Sequence, residues 1–114
     1  MAIQPMYCSF CRRDHDHVAT LVAGPGVYIC GDCVGLAKRA IEGKAIPDFA
    51  GWASMGDDGL LASLVAAKAI ADRVDDAVGE LVAVLRERGV TWERIGETLG
   101  VSRQAAWQRY ASAT

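Results

Sequence analysis

The chain has 114 residues, four cysteines and a net charge of −2. That length suits one ordinary domain or two very small ones, and no apolar run approaches the ~18 residues of a membrane span. The opening Met-Ala-Ile-Gln-Pro-Met has neither the basic nor the apolar region of a secretion signal, so a reducing, cytoplasmic setting is expected, where thiols bind metal rather than each other.

Cys8-Ser9-Phe10-Cys11 is answered by Cys30-Gly31-Asp32-Cys33, two Cys-x2-Cys pairs separated by eighteen residues. This is the spacing of a four-thiolate zinc site. Each pair can wrap a tight knuckle that points two sulfurs at one ion. Four thiolates at about 2.3 Å satisfy the tetrahedral preference of Zn²⁺ and leave no open position for a substrate, so one structural zinc per chain is expected. Two disulfides are the first alternative, disfavoured by the compartment. An iron–sulfur cluster is the second, disfavoured by paired knuckles at this separation. A module of about 40 residues buries too little apolar surface to fold unaided, and zinc supplies the missing free energy.

Between the knuckles, Val18–Val22 and Val27–Ile29 are short β-prone runs around Ala23-Gly24-Pro25-Gly26, which reads as a hairpin returning Cys30 to Cys8 and Cys11. Asp32 is placed to cap a helix through Val34–Ile41, with Gly43 to end it. The second knuckle then lies at a helix N-terminus, whose partial positive charge favours thiolates. Knuckle, hairpin, knuckle, helix is a treble-clef-like arrangement. His15 and His17 read as exposed loop histidines beside a saturated site. Arg12 and Arg13 either offset the −2 charge of a four-thiolate zinc or form a solvated surface pair.

Tyr7-Cys8-Ser9-Phe10-Cys11, Leu21-Val22-Ala23-Gly24-Pro25 and Val27-Tyr28-Ile29-Cys30-Gly31-Asp32-Cys33-Val34 resemble the N-terminal zinc-binding domain of the ClpX unfoldase. The resemblance spans about residues 6–43. It implies a C4 zinc fold, a tendency to dimerise and a role in docking protein partners. No Gly-x4-Gly-Lys-Ser/Thr follows, so the unfoldase's ATPase motor is not part of this sequence.

Residues 44–59 hold Pro47, Gly51, Gly56 and Gly59 and read as a linker. Phe49, Trp52 and Met55 recur every three residues there, either anchoring the linker or forming a partner-docking patch. From Leu60 the pattern is helical. Leu60, Leu64, Ala67, Ala71, Val74, Val78, Leu81 and Leu85 alternate spacings of four and three, which is an a/d seam. Gly79 interrupts it at a cost of about 1 kcal/mol, and the helix should end near Gly89.

In the last segment Thr91 is placed to cap a short helix, Gly100 to close it, and Ser102 to cap the next. Ile95, Leu99, Val101, Ala106 and Tyr110 read as one apolar set, with Gly96 allowing a close helix crossing. These are the physical requirements of a helix-turn-helix. Trp92-x-x-Ile95-Gly96-x-x-Leu99-Gly100-Val101-Ser102-Arg103-Gln104-Ala105 also resembles the helix-turn-helix of sigma-factor-like bacterial regulators. On the second helix, Arg103, Gln104, Trp107 and Gln108 share the face opposite Ala106 and Tyr110. Arginine pairs bidentately with guanine and glutamine with adenine, and Ser102 with the helix N-terminus suits phosphate. Residues 81–114 carry a net charge of +2 against −4 for residues 57–80, so only the last segment has the sign of a nucleic-acid contact.

The expected protein is therefore a small α+β zinc finger over residues 1–43, a linker over 44–59, and an all-α segment over 60–114. No carboxylate pair, nucleophile–base set or phosphate loop suggests an enzyme. The leading functional expectation is a zinc-stabilised DNA-binding protein that regulates transcription, with the zinc domain mediating protein contacts or dimerisation. The alternative is an adaptor of a Clp-type protease system without DNA binding. A homodimer is expected from the seam, which is longer than two short helices cover, and from the dimer-forming domain the N-terminus resembles.

Overall fold

Two four-residue strands carry the chain from the first knuckle back to the second. β1 (Leu21–Gly24) and β2 (Val27–Cys30) pair antiparallel, with Leu21 opposite Cys30 and Gly24 opposite Val27. Pro25 and Gly26 make the turn, Gly26 at φ 74°, the combination a type II turn requires. The computed structural model of the protein describes residues 6–48 and 51–113. Tertiary contacts divide the chain into residues 1–74 and 75–114.

In the first unit Tyr7 bridges Asp14 across the knuckle. Arg12 sits at φ 66°, a left-handed conformation for a residue with a Cβ, held by Arg12 N–H donating to Cys8 O at 2.8 Å. Ser9 ties the knuckle to β2: its N–H donates to Tyr28 O at 2.8 Å, and its hydroxyl accepts from Tyr28 N–H at 3.1 Å. Helix α1 spans Gly31–Ile41. Gly31 fits there without displacing its neighbour, since a Cβ would stand 2.8 Å from Thr20 Oγ1 and that side chain would have to shift. The cap is Cys30, whose sulfur accepts from Cys33 N–H. The sequence favoured Asp32 as the cap by residue type. Asp32 lies instead in the first turn, where its charge suits the helix dipole. Gly43 at φ 75° follows the helix end.

A 3-10 turn at Trp52–Ser54 leads to helix α2, Asp57–Glu87. This helix starts three residues before the expected Leu60, because Asp57 and Asp58 suit its first turn. It runs through Gly79 unbroken. Phe49 lies outside the described residues, so the Phe49, Trp52, Met55 set is described only in part. Trp52 is used locally: the Arg12 guanidinium stacks 4.7 Å above its ring. Arg73 of α2 stacks 5.4 Å from the Tyr28 ring.

The second unit holds the end of α2 with α3 (Trp92–Leu99) and α4 (Arg103–Tyr110). Thr91 caps α3 by accepting from Arg94 N–H at 3.1 Å. Gly100 closes it in the left-handed region at φ 74°. Ser102 caps α4 by accepting from Ala105 N–H at 3.0 Å. Val82, Ile95, Ala106 and Tyr110 form the core, with Val78, Val90 and Trp92 packed against it. Leu99 and Val101 are not in that core, at 46 % and 43 % exposed. α3 and α4 are each eight residues long, so two turns of α3 place Ile95 inward and leave Leu99 at the rim. The fold is thus a treble-clef-like hairpin and helix, followed by a long helix and a helical bundle.

Candidate metal centre and flanking surfaces

The hairpin and the two knuckles converge on four sulfurs. The Sγ atoms of Cys8, Cys11, Cys30 and Cys33 all lie within 4.8 Å of one another. Cys8, Cys30 and Cys33 are buried and Cys11 is exposed. A tetrahedron of sulfurs about 2.3 Å from its centre has edges of about 3.8 Å. The Cys11 and Cys30 sulfurs are 3.7 Å apart, far beyond a disulfide bond and close to that edge. The donor set therefore fits one tetrahedral Zn²⁺ and not a pair of disulfides. Such an ion would supply folding free energy to a unit whose buried apolar cluster consists of three cysteines, backed by Val18, Leu21 and Ile29. Four thiolates saturate it and leave no position for a substrate.

Backbone donors prepare the sulfurs for negative charge. Cys30 N–H donates to Cys8 Sγ at 3.3 Å, and Cys33 N–H to Cys30 Sγ at 3.4 Å. Burial acts to push the Cys8 thiol up, but N–H groups of Cys11, Cys30 and Phe10 outweigh it and bring the thiol down to about 6. Cys33 goes the other way: burial, then the crowding sulfurs of Cys30, Cys11 and Cys8, push its thiol well up. The two thiols differ because Cys8 has three backbone donors, whereas Cys33 is desolvated and crowded by sulfurs whose thiolates repel without a cation between them. A divalent ion removes that repulsion and deprotonates its ligands.

Among the described residues, Arg13 brings a cation of the protein itself to the cluster. Arg13 Nε donates to Cys11 Sγ at 3.4 Å, and Arg13 Nη2 approaches Cys30 Sγ at 3.8 Å and donates to Asp32 Oδ2 at 2.8 Å. The bond to the Cys11 sulfur, then the one to Asp32, raises the Arg13 guanidinium further above its usual range. Of the two arginines, Arg13 offsets the thiolate charge and Arg12 is committed to Trp52. The orienting role of Arg13 was not evident from sequence, because a β-bridge, a left-handed Arg12 and the Asp32 carboxylate together set its direction.

The histidines serve the loop. His15 Nδ1 accepts from Met6 N–H at 3.2 Å. His17 Nδ1 and Asp14 Oδ1 are 2.6 Å apart, and that oxygen also accepts from the N–H groups of Asp16 and His17.

Residues 6–43 match the ClpX C4-type zinc finger family, which is the part of the chain that carries the four cysteines. No solved structure matches the chain. No helix among the described residues is long and apolar enough to cross a membrane.

Two surfaces flank the centre and the tail. On the zinc unit, Ile29, Val34, Ala37 and Ile41 line a shallow hollow of about 620 Å³ with Lys38 and Glu42 at its edge. Ile41 is 87 % exposed. On the tail, Ser102, Arg103, Gln104, Trp107 and Gln108 all lie on the exposed side of α4. The seam positions Leu64, Val74, Leu81 and Leu85 of α2 are exposed as well.

Proposed function

We propose that the protein is a zinc-stapled interaction protein that docks components of a Clp-type protease system. The observation that carries this reading is the apolar hollow built from Ile29, Val34, Ala37 and Ile41 beside the metal centre. Ile41, exposed to 87 %, extends the apolar lining of the hollow to the surface, and a contiguous apolar patch of this kind marks an interaction site. The zinc staple holds β2 and α1 rigid, so the hollow is preformed and little entropy is lost on docking. The likeness of residues 6–43 to the ClpX C4-type zinc finger points to partners of the same system. Ile41→Asp and Val34→Asp place a charge in the hollow without touching a sulfur. Binding to a purified Clp-type unfoldase or its protease complex, read by calorimetry, should be lost in both variants with zinc content unchanged. Equal binding by variants and wild type would refute the reading.

A second reading, DNA binding with a role in transcription regulation, is favoured by one observation. The three residues Gly100–Ser102 join α3 to α4, and α4 carries Arg103, Gln104 and Gln108 outward with no carboxylate among its eight residues. Duplex binding that weakens steeply with salt, through released counterions, is its signature. Such binding by the wild type, lost in Arg103→Ala, would move this reading ahead.

A further inference from the structure

Two apolar grooves lie along the seam positions of α2. One, of about 250 Å³, is lined by Leu60, Leu64 and Ala67 of α2 and walled by Arg12 and Trp52. The other, of about 370 Å³, is lined by Val78, Leu81 and Leu85 and backed by Leu99 of α3. Leu64 and Leu81, one in each groove, are both 65 % exposed. They are knobs as well as walls.

We propose that α2 pairs antiparallel with α2 of a second copy of this chain, each groove of one copy receiving the knob of the other. The seam is self-complementary when reversed about the point between Asp72 and Arg73. Leu60 then meets Leu85, Leu64 meets Leu81, Ala67 meets Val78, and Ala71 meets Val74. Every layer of this arrangement combines two leucines or one alanine with one valine, so the layers stay even in thickness. A two-fold axis makes each contact occur twice, as an isologous interface requires.

Charge complementarity selects this direction. Lys68 and Asp75 flank the seam on the same side, each one residue after a seam position. In the antiparallel register, Lys68 of one copy faces Asp75 of the other on both edges of the centre. A parallel pair would put Ile70 of one copy beside Asp75 of the other and stack Ala67 on Ala67 and Ala71 on Ala71, leaving a thin, poorly packed middle. Within the chain Lys68 pairs with Asp72, and Asp75 lies 4.0 Å from Arg109. Both pairs are exposed and therefore weak competitors.

Length names the occupant. α2 has 31 residues, whereas α1 has 11 and α3 and α4 have eight each. Among the described residues, only another α2 runs the full length of the seam from Leu60 to Leu85. This inference stands apart from the docking hollow of the zinc unit, because it uses none of that hollow's residues.

The test uses the full zinc-loaded chain. Light scattering should give twice the mass of a 12.1 kDa monomer, and Leu64→Asp and Leu81→Asp should each give the monomer with helical signal and zinc content unchanged. Leu64 replaced by the photo-cross-linker p-benzoylphenylalanine should join to a peptide containing Leu81 of the other copy. Lys68→Glu and Asp75→Lys should each weaken dimerisation about tenfold by placing like charges opposite, and the double variant should recover it. A mass of 12.1 kDa across micromolar concentrations overturns the proposal. So does a cross-link from position 64 to position 64, or a double variant no better than the single ones.

Discussion

Gly96 of α3 lies so close to Val101 that a Cβ added to it would stand 2.8 Å from the Val101 carbonyl oxygen. Ser102 O is almost as near, at 3.0 Å. The same approach lets Val101 N–H donate to Gly96 O at 2.9 Å, which fixes the turn into α4. Gly96→Ala should therefore destabilise the C-terminal unit by about 1–2 kcal/mol, because backbone overlap outweighs the gain in helix propensity. Gly35→Ala in α1 is the control. Its added Cβ would meet nothing within 4 Å, so up to about 1 kcal/mol of stabilisation is expected. Thermal melts of the two variants should move in opposite directions.

The metal should be a condition of folding for the zinc unit alone. Cys30 contributes a buried sulfur, accepts the capping bond of α1 and lies opposite Leu21 in the hairpin. Cys30→Ser should release zinc and melt residues 6–43, as should a strong chelator. The core of Val82, Ile95, Ala106 and Tyr110 contains no cysteine, so the amide spectrum of α3 and α4 should persist. Loss of both sets of signals together, or a folded zinc-free hairpin, would contradict this.

Arg13→Ala should leave the four sulfurs in place and weaken their hold on the metal. The guanidinium contacts the Cys11 sulfur and Asp32 together, and groups that support metal ligands in this way are worth about tenfold or more in affinity. Competition with a chromophoric chelator would read the change. Arg13→Lys should restore it only in part, since an ammonium is a point charge and cannot span sulfur and carboxylate as a planar fork does.

What the sequence revealed about this site and what it hid divide along range. The knuckle spacing, the Pro25-Gly26 turn, and the caps at Thr91, Gly100 and Ser102 depend on neighbours a few residues away. Residue type states them directly. Cys30 as a helix cap and Arg13 as a thiolate partner depend on a hairpin closing across about twenty residues, which no local pattern encodes. The misplacement of Leu99 and Val101 has a related cause: helical periodicity marks an apolar face, but the partner that covers it decides which members are buried.

A pH dependence follows from the knuckle loop. Asp14 holds the His17 imidazole above its usual range through their hydrogen bond, and His17 in turn holds the Asp14 carboxyl below its own. The His17 contribution is complete below the imidazole's unfolded value, near 6.5, and is lost as pH rises through the raised folded value. The Asp14 contribution is complete above the carboxyl's unfolded value, near 3.9, and is lost as pH falls through the lowered folded one. The pair should thus hold the loop best between about pH 4 and 6.5. Because His17 is exposed and Asp14 partly so, the readout is a titration rather than a melt. The His17 ring protons should titrate higher than those of free histidine, and Asp14→Asn should bring them down.

The outer face of α4 separates the two functional readings. Arg103, Gln104 and Gln108 are exposed, and the fold core uses only Ala106 and Tyr110 of this helix. Substituting the three with alanine should change stability by no more than about 0.5 kcal/mol each, so any loss of binding is a loss of contact. If the helix reads bases, Arg103→Ala should cost about 1–3 kcal/mol of discrimination at one position of a selected duplex. Replacing Trp107, half exposed at 50 %, should weaken binding to all duplexes alike, since an indole at that place adds area without a base-specific hydrogen bond. A selection from random duplexes that enriches no sequence, together with unchanged capture of a Clp-type partner by the triple variant, assigns the function to the zinc unit. In that case α4 only completes the helical core around Val82.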